Sequence, residues 1–155
     1  MSSVEERLSA LGLTVPEVVP PVAAYQPAVV IDNVVYVSGQ LPLINGELPA
    51  AGKVGTGPNA QVTPEQAYEL AKQCGLNLIA ALKSVVDLDS ITRIGKVGGF
   101  VASEPDFTGQ PTVINGASEL LGHAFGEMGT HARSAVGVAV LPLDTPVEVD
   151  LIAHL

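Results

Sequence analysis

The sequence predicts an α/β (α+β) domain in which two long amphipathic helices cover one face of a mixed β-sheet. Three observations carry this expectation. Two stretches keep helical spacing over long windows: Ala67, Leu70, Ala71, Cys74, Leu78, Ala81, Leu82 and Val85 in one, Val113, Ala117, Leu120, Leu121, Ala124 and Met128 in the other. Around them lie short runs rich in Val, Ile and Ala, the residues of strands. Hydrophobic residues make up 47% of the 155 and charged residues 15%, the balance of one compact domain with a sizeable core.

Taken in order, Ser3–Leu11 reads as a short helix. Ser3 is its cap, Glu6 stands three residues on, Val4, Leu8 and Leu11 form the stripe, and Gly12 closes it. The segment 14–27 carries Pro16, Pro20, Pro21 and Pro27, which exclude a helix or a central strand and leave an extended arm. Residues 1–28 are thus a helix and proline-rich arm in front of a single domain, 29–155. Val29–Ile31 and Val34–Val37 form a hairpin about Asp32-Asn33, and Ser38-Gly39-Gln40 ends its second strand. Residues 41–62, rich in Gly, Pro and Ala, read as a long loop with a short third strand near Lys53–Gly55. Thr63-Pro64-Glu65-Gln66 opens the first long helix with a cap, a first-turn proline and a capping-box glutamine. Ile91–Val101 is a strand with Gly98-Gly99 as a bulge. Pro111–Met128 is the second long helix. Ala132–Val140 and Val147–Ala153 are further strands, and the order is βββαβαββ.

The strand over residues 132–140 is apolar on both sides, with Val136, Val138 and Val140 alternating against Ala135, Ala139 and Leu141. Two helices cover one face of the sheet, and no further helix is available for the other. Copies of the chain are therefore expected to cover it, in a closed homo-oligomer.

Composition also excludes functions. Seven basic against 16 acidic residues give a net charge of −9 and a pI near 4.5, the wrong sign for a partner built on phosphates. Trp is absent and aromatics are 4%, too few for base stacking. The lone Cys74 forbids an internal disulfide and sits in a helical pattern as a small hydrophobe. The start, Met1-Ser2-Ser3-Val4-Glu5-Glu6-Arg7, lacks the apolar core of a signal peptide, and apolar runs are too short for a membrane span. The expectation is a cytoplasmic protein with no membrane and no nucleic-acid partner.

Candidates for chemistry are few. His123, His131 and His154 lack metal-ligand spacing, and no phosphate or dinucleotide fingerprint occurs. His154 is expected to fray. In His131-Ala132-Arg133-Ser134, a guanidinium enters an apolar strand. Either it pairs with Glu148 or Asp150 or meets solvent, or it presents a planar fork for a substrate carboxylate. In Val147-Glu148-Val149-Asp150-Leu151 the alternation puts both acids on one face. That face is either an exposed edge or the seat of a carboxylate that activates water. Tyr25, within the arm, either anchors it or lines a site.

Together these residues resemble the RidA/YjgF family. The motifs are Ala24-Tyr25-Gln26-Pro27-Ala28-Val29, Val37-Ser38-Gly39-Gln40-Leu41-Pro42, Arg133-Ser134-Ala135-Val136 with Leu141-Pro142, and Val147–Ala153, in the family's order. The added N-terminal helix and long 41–62 loop are similar to a longer YjgF-like subgroup. The resemblance implies a chorismate mutase-like fold, a homotrimer with clefts between subunits, and hydrolysis of enamines and imines such as 2-aminoacrylate to 2-keto acids and ammonia. It implies that Arg133 binds the substrate carboxylate, that Tyr25, Ser38, Gly39 and Asn115 line the cleft, and that Ala135 stands where the family has a cysteine. It puts Asp150 where the deaminase uses a glutamate to position water, one methylene shorter. No metal or cofactor is implied. The alternatives are a non-catalytic protein that binds small carboxylates in the same clefts and, more remotely, an endoribonuclease or translation inhibitor, which the charge opposes.

Overall fold

The computed structural model describes residues 1–18, 20–21 and 23–155. The helices form where their caps allow. Helix α1 (Ser3–Ala10) starts one residue before the expected register: the Ser2 hydroxyl accepts the Glu5 N–H, and the Glu5 carboxylate accepts the Ser2 N–H. The Ser3 hydroxyl is used elsewhere, donating to Asp89 at 2.6 Å and docking α1 against the turn at residues 88–90. Helix α2 (Pro64–Lys83) has the expected box of Thr63 and Gln66 with proline in its first turn. Helix α3 (Gln110–Phe125) stops short of Met128 because Gly126 takes a left-handed φ of 62° and a 3₁₀ turn follows.

The strands are β1 (Ala28–Ile31), β2 (Val34–Gln40), β3 (Arg93–Ala102), β4 (Ala132–Val138) and β5 (Val147–His154). They form one mixed sheet in the order β1-β2-β5-β3-β4, in which only β3 and β4 run parallel, joined through α3. The fold class is the expected one, with corrections of detail. The third strand near Lys53–Gly55 shrinks to isolated bridges of Val54 with Val62 and Ser103, because the Gln61 side chain caps the Lys53 N–H. β4 ends at Val138 rather than Val140, since its partner β3 ends at Ala102. The β3 bulge lies between Ile94 and Lys96, not at Gly98-Gly99. Those two glycines hold regular register and instead give room: a Cβ on Gly98 would meet Asp150, and one on Gly99 would meet Ile114 of α3. His154 does not fray. Its carbonyl accepts the Thr92 N–H, and the next residue bonds to Asn33. The arm over residues 14–27 includes positions 19 and 22, which lie outside the described residues.

The core fills the space between the helices and one face of the sheet. Val35 and Val37 of β2, Ile94, Val97 and Val101 of β3, and Val147, Val149, Leu151 and Ala153 of β5 pack against α2 and α3. Val4 and Leu8 of α1 join the same cluster, as does Cys74, a buried small hydrophobe. Asn77 is buried in α2 and satisfied there, donating to the Leu41 and Leu43 carbonyls and so tying the long loop to the core. Among the described residues, no helix covers the other face of the sheet. On it or at its edge, Val29, Ile31, Tyr36 and Val136 are 42% to 57% exposed. No helix among the described residues is long and apolar enough to cross a membrane.

Helices α2 and α3 approach closely through small residues. A Cβ on Gly116 would lie 2.0 Å from the Tyr68 carbonyl oxygen, which is backbone and cannot yield. Gly116→Ala is therefore expected to cost about 2–3 kcal/mol of stability, read as a lowered urea midpoint at unchanged slope.

Candidate functional site

Arg133 leaves β4 on the helix-covered side, beside Val97 of β3. β4 is an edge strand, so the side chain reaches out along the flank of α3. There Nη1 donates to Asn115 Oδ1 at 2.8 Å and to Ser118 Oγ at 3.1 Å, and Nη2 donates to the Pro111 carbonyl at 3.2 Å. Pro111, Asn115 and Ser118 are spaced by four and three residues, so one stripe of α3 supplies all three acceptors. All are neutral. Neither Glu148 nor Asp150 pairs with Arg133, and the ion pairs among the described residues are Lys53–Asp144 and Lys83–Glu5. The guanidinium thus keeps its full charge, is oriented from one side, and has no hydrogen-bond partner at Nε among the described residues.

A second group gathers on the open face of the sheet. The register of β2 against β5 passes from Val37–Leu151 to Gln40–Val149, so β2 carries one extra residue. This bulge turns both Val37 and Gln40 into the core and leaves Ser38 and Gly39 facing outward. The Ser38 N–H donates to the Pro27 carbonyl, and its hydroxyl donates to the Gln26 carbonyl at 2.6 Å. Ser38 therefore pins the arm that carries Tyr25. Tyr25 and Gly39 line one apolar cavity with Pro27, Leu41, Leu43 and Leu143. Leu143 is held there at a left-handed φ of 57°, a conformation that costs a β-carbon about 1–2 kcal/mol. The Glu148 carboxylate lies directly over Gly39, where a Cβ would meet it 2.0 Å away.

Asp150 does not join either group. It lies over Gly98, one residue pair further along β5 and nearer Lys96. Asp150 and Arg133 also occupy opposite faces of the sheet, since Asp150 pairs with Gly98 while Arg133 pairs with the neighbouring Val97. Of the alternatives open for Arg133, an ion pair with Glu148 or Asp150 of its own chain is the one not formed. The carboxylate beside Gly39 and the Ser38 turn is Glu148, and even Glu148 is across the sheet from Arg133. Ala135 follows Arg133 on the same side of β4, opposite Gly99. Ser118 is the residue that sequence reasoning passed over, and His131, weighed there only as a metal ligand, is its hydrogen-bond partner. The stripe through residues 111, 115 and 118 on a helix preceding the Arg133 strand is the signal that finds Ser118.

Burial raises the carboxyl pKa of Glu148, and the neighbouring Asp150 raises it further. Burial raises that of Asp150 as well, against the lowering by the Gly98 backbone and Lys96. Burial and the nearby Arg133 lower that of His131. No three His, Cys, Asp or Glu side chains cluster as metal ligands would among the described residues.

The family model described as "YjgF/chorismate mutase-like, putative endoribonuclease" matches residues 5–155. The TCP17 protein of Trypanosoma cruzi is 38% identical over 154 residues, covering 98% of this chain and 94% of that protein. The crystal structure of Atu1372 from Agrobacterium tumefaciens, a protein of unknown function, superimposes with a TM-score of 0.90 at 42% identity, covering 99% of this chain and 92% of that one. A structure from Shewanella oneidensis MR-1 under the same endoribonuclease label gives 0.93 at 33% identity, covering 99% and 100%.

The raised pKa of Glu148 has a signed consequence. The folded state holds this proton more tightly than the unfolded chain, so ionising the group costs stability above its folded pKa and nothing well below its ordinary value of 4.5. Glu148→Gln is expected to raise Tm by about 1–3 °C at pH 8, with the gain fading towards pH 4 in a series of melts.

Proposed function

The chain belongs to the YjgF/chorismate mutase-like family, and from that premise and the geometry above we propose that it hydrolyses small 2-imino and 2-enamino acids of the 2-aminoacrylate type to 2-keto acids and ammonia. The observation that carries this reading is the Arg133 guanidinium, aimed by three neutral acceptors and with no carboxylate paired to it among the described residues. A permanently charged fork held this way suits a planar carboxylate, which it fixes in place and in orientation.

Chemistry then needs a water beside the imine carbon. Glu148 is the carboxylate whose setting fits: half-buried, raised in pKa, and next to the apolar cavity of Tyr25 and Gly39. As the water oxygen attacks, the C=N electron pair moves to nitrogen. Glu148 takes a proton from the water and returns it to that nitrogen. The carbinolamine nitrogen then takes the hydroxyl proton and leaves as ammonia while the C–N bond breaks and the C=O bond forms, and the keto acid remains. An enamine first takes a proton at carbon and gives one up from nitrogen to become the imine. The balance closes with water alone, so no cofactor is called for.

Arg133 and Glu148 lie on opposite faces of one sheet, so a site that uses both is completed by two copies of the chain. The β4 edge of one copy would face the Tyr25–Gly39–Glu148 side of the next. The exposed apolar residues of the helix-free face give such copies a surface to bury. We therefore propose a closed ring, the homotrimer that the resemblance implies.

Generating 2-aminoacrylate in situ and following keto-acid release tests the reading. Arg133→Ala and Glu148→Gln are each expected to lower kcat/KM at least 100-fold. Unfolding and refolding the two inactive variants together in equal amounts should restore about a quarter of the sites, because one junction type in four receives both intact residues. No recovery in a mixture shown to be hybrid would overturn the shared site. Thermal stabilisation by pyruvate without turnover would make the protein a carboxylate binder instead.

A further inference from the structure

We propose that Ser118 and His131 are positioning residues that set the direction of Arg133 through a hydrogen-bond chain of fixed polarity. The inference rests on Arg133 as the carboxylate anchor and deepens it.

The chain begins at a backbone carbonyl. His131 Nδ1 lies 2.6 Å from the Gly129 oxygen, which can only accept, so Nδ1 carries the ring hydrogen. Gly129 is held by the close turn after α3: a Cβ there would strike the Leu121 carbonyl at 2.3 Å. Half-buried and near the Arg133 cation, the ring is disfavoured in its charged form. In the neutral ring Nε2 is then an acceptor, and Ser118 Oγ is its partner at 2.9 Å. The Ser118 hydrogen is committed to His131, so the oxygen's free lone pairs serve the Arg133 Nη1 donor at 3.1 Å. Asn115 Oδ1 takes the same nitrogen at 2.8 Å. Without His131 the Ser118 hydroxyl could rotate its hydrogen towards the guanidinium and weaken that bond. Neither residue reaches the free side of Arg133, so their effect falls on carboxylate binding and leaves proton transfer alone.

Two measurements test this. Long-range ¹H–¹⁵N spectra of the histidine-labelled full chain, without ligand, are expected to show His131 as the Nδ1–H tautomer. The Nε2–H tautomer overturns the proposal. Pyruvate titrations then read the coupling. Ser118→Ala and His131→Leu are each expected to raise the Kd for pyruvate about fivefold, the scale of one net hydrogen bond. The double variant should be no weaker than either, because they break one chain. His131→Gln, whose side-chain carbonyl can accept the Ser118 hydrogen, should recover most of the affinity. With 2-aminoacrylate, KM should rise while kcat stays within twofold. An unchanged Kd in Ser118→Ala and His131→Leu, beside a raised one in Arg133→Ala, overturns the positioning role and leaves the anchor standing. If Arg133→Ala also binds pyruvate normally, the anchor fails and the positioning role falls with it.

Discussion

Two helices can shield one side of a five-stranded sheet, and that limit governs the rest of this molecule. The shielded side takes the aliphatic residues of β2, β3 and β5 and becomes the core. The bare side must hold a different set of residues, and it does: the acids of β5, Lys96, the bulged turn of β2, and a scatter of valine, isoleucine and tyrosine. A period of two along each strand separates these sets strictly. Arg133 and Glu148 fall on different sides for that reason alone. The division that builds the core therefore also splits the polar equipment into two halves.

The bulge in β2 is the device that makes one of those halves. In a regular strand Gln40 would share the outward face of Ser38 and Gly39 would turn into the core. One inserted residue reverses this, tucks Gln40 inward, and leaves room above Gly39 for a carboxylate. Gly39 is needed there because any β-carbon would occupy the space of the Glu148 oxygen. The same turn fastens the proline arm through Ser38, bringing Tyr25 over the cavity. A change of one residue in local register thus fixes three groups at once.

Much of this could be read in the chain itself. The two long helices, the hairpin at Asp32-Asn33 and the split between Glu148–Asp150 and Val147–Val149–Leu151 all follow from periodicity and caps. The relative placement of the acids could not be read. Periodicity puts Glu148 and Asp150 on one face but does not say which lies beside Gly39. That depends on the pairing of β5 with β2, a contact between distant segments shifted by a bulge. The glycine pair in β3 misled for a related reason. Gly98-Gly99 has the look of a bulge, yet it exists to admit Asp150 from one side and Ile114 from the other, while the irregularity sits at Gly95. Arg133 was visible as an oddity in an apolar strand, but its neutral cradle required knowing how α3 lies against the β4 edge.

The position of β5 bears on how the chain reaches this structure. It follows every other strand in sequence but sits third of five in space, between β2 and β3. Until it emerges from the ribosome, the β1–β2 hairpin and the β3–α3–β4 unit have no strand to join them. Each is a fragment with open edges and an incomplete core. Closure of the sheet thus waits on the insertion of β5 between two preformed units, through pairings with β2 that span more than a hundred residues of chain.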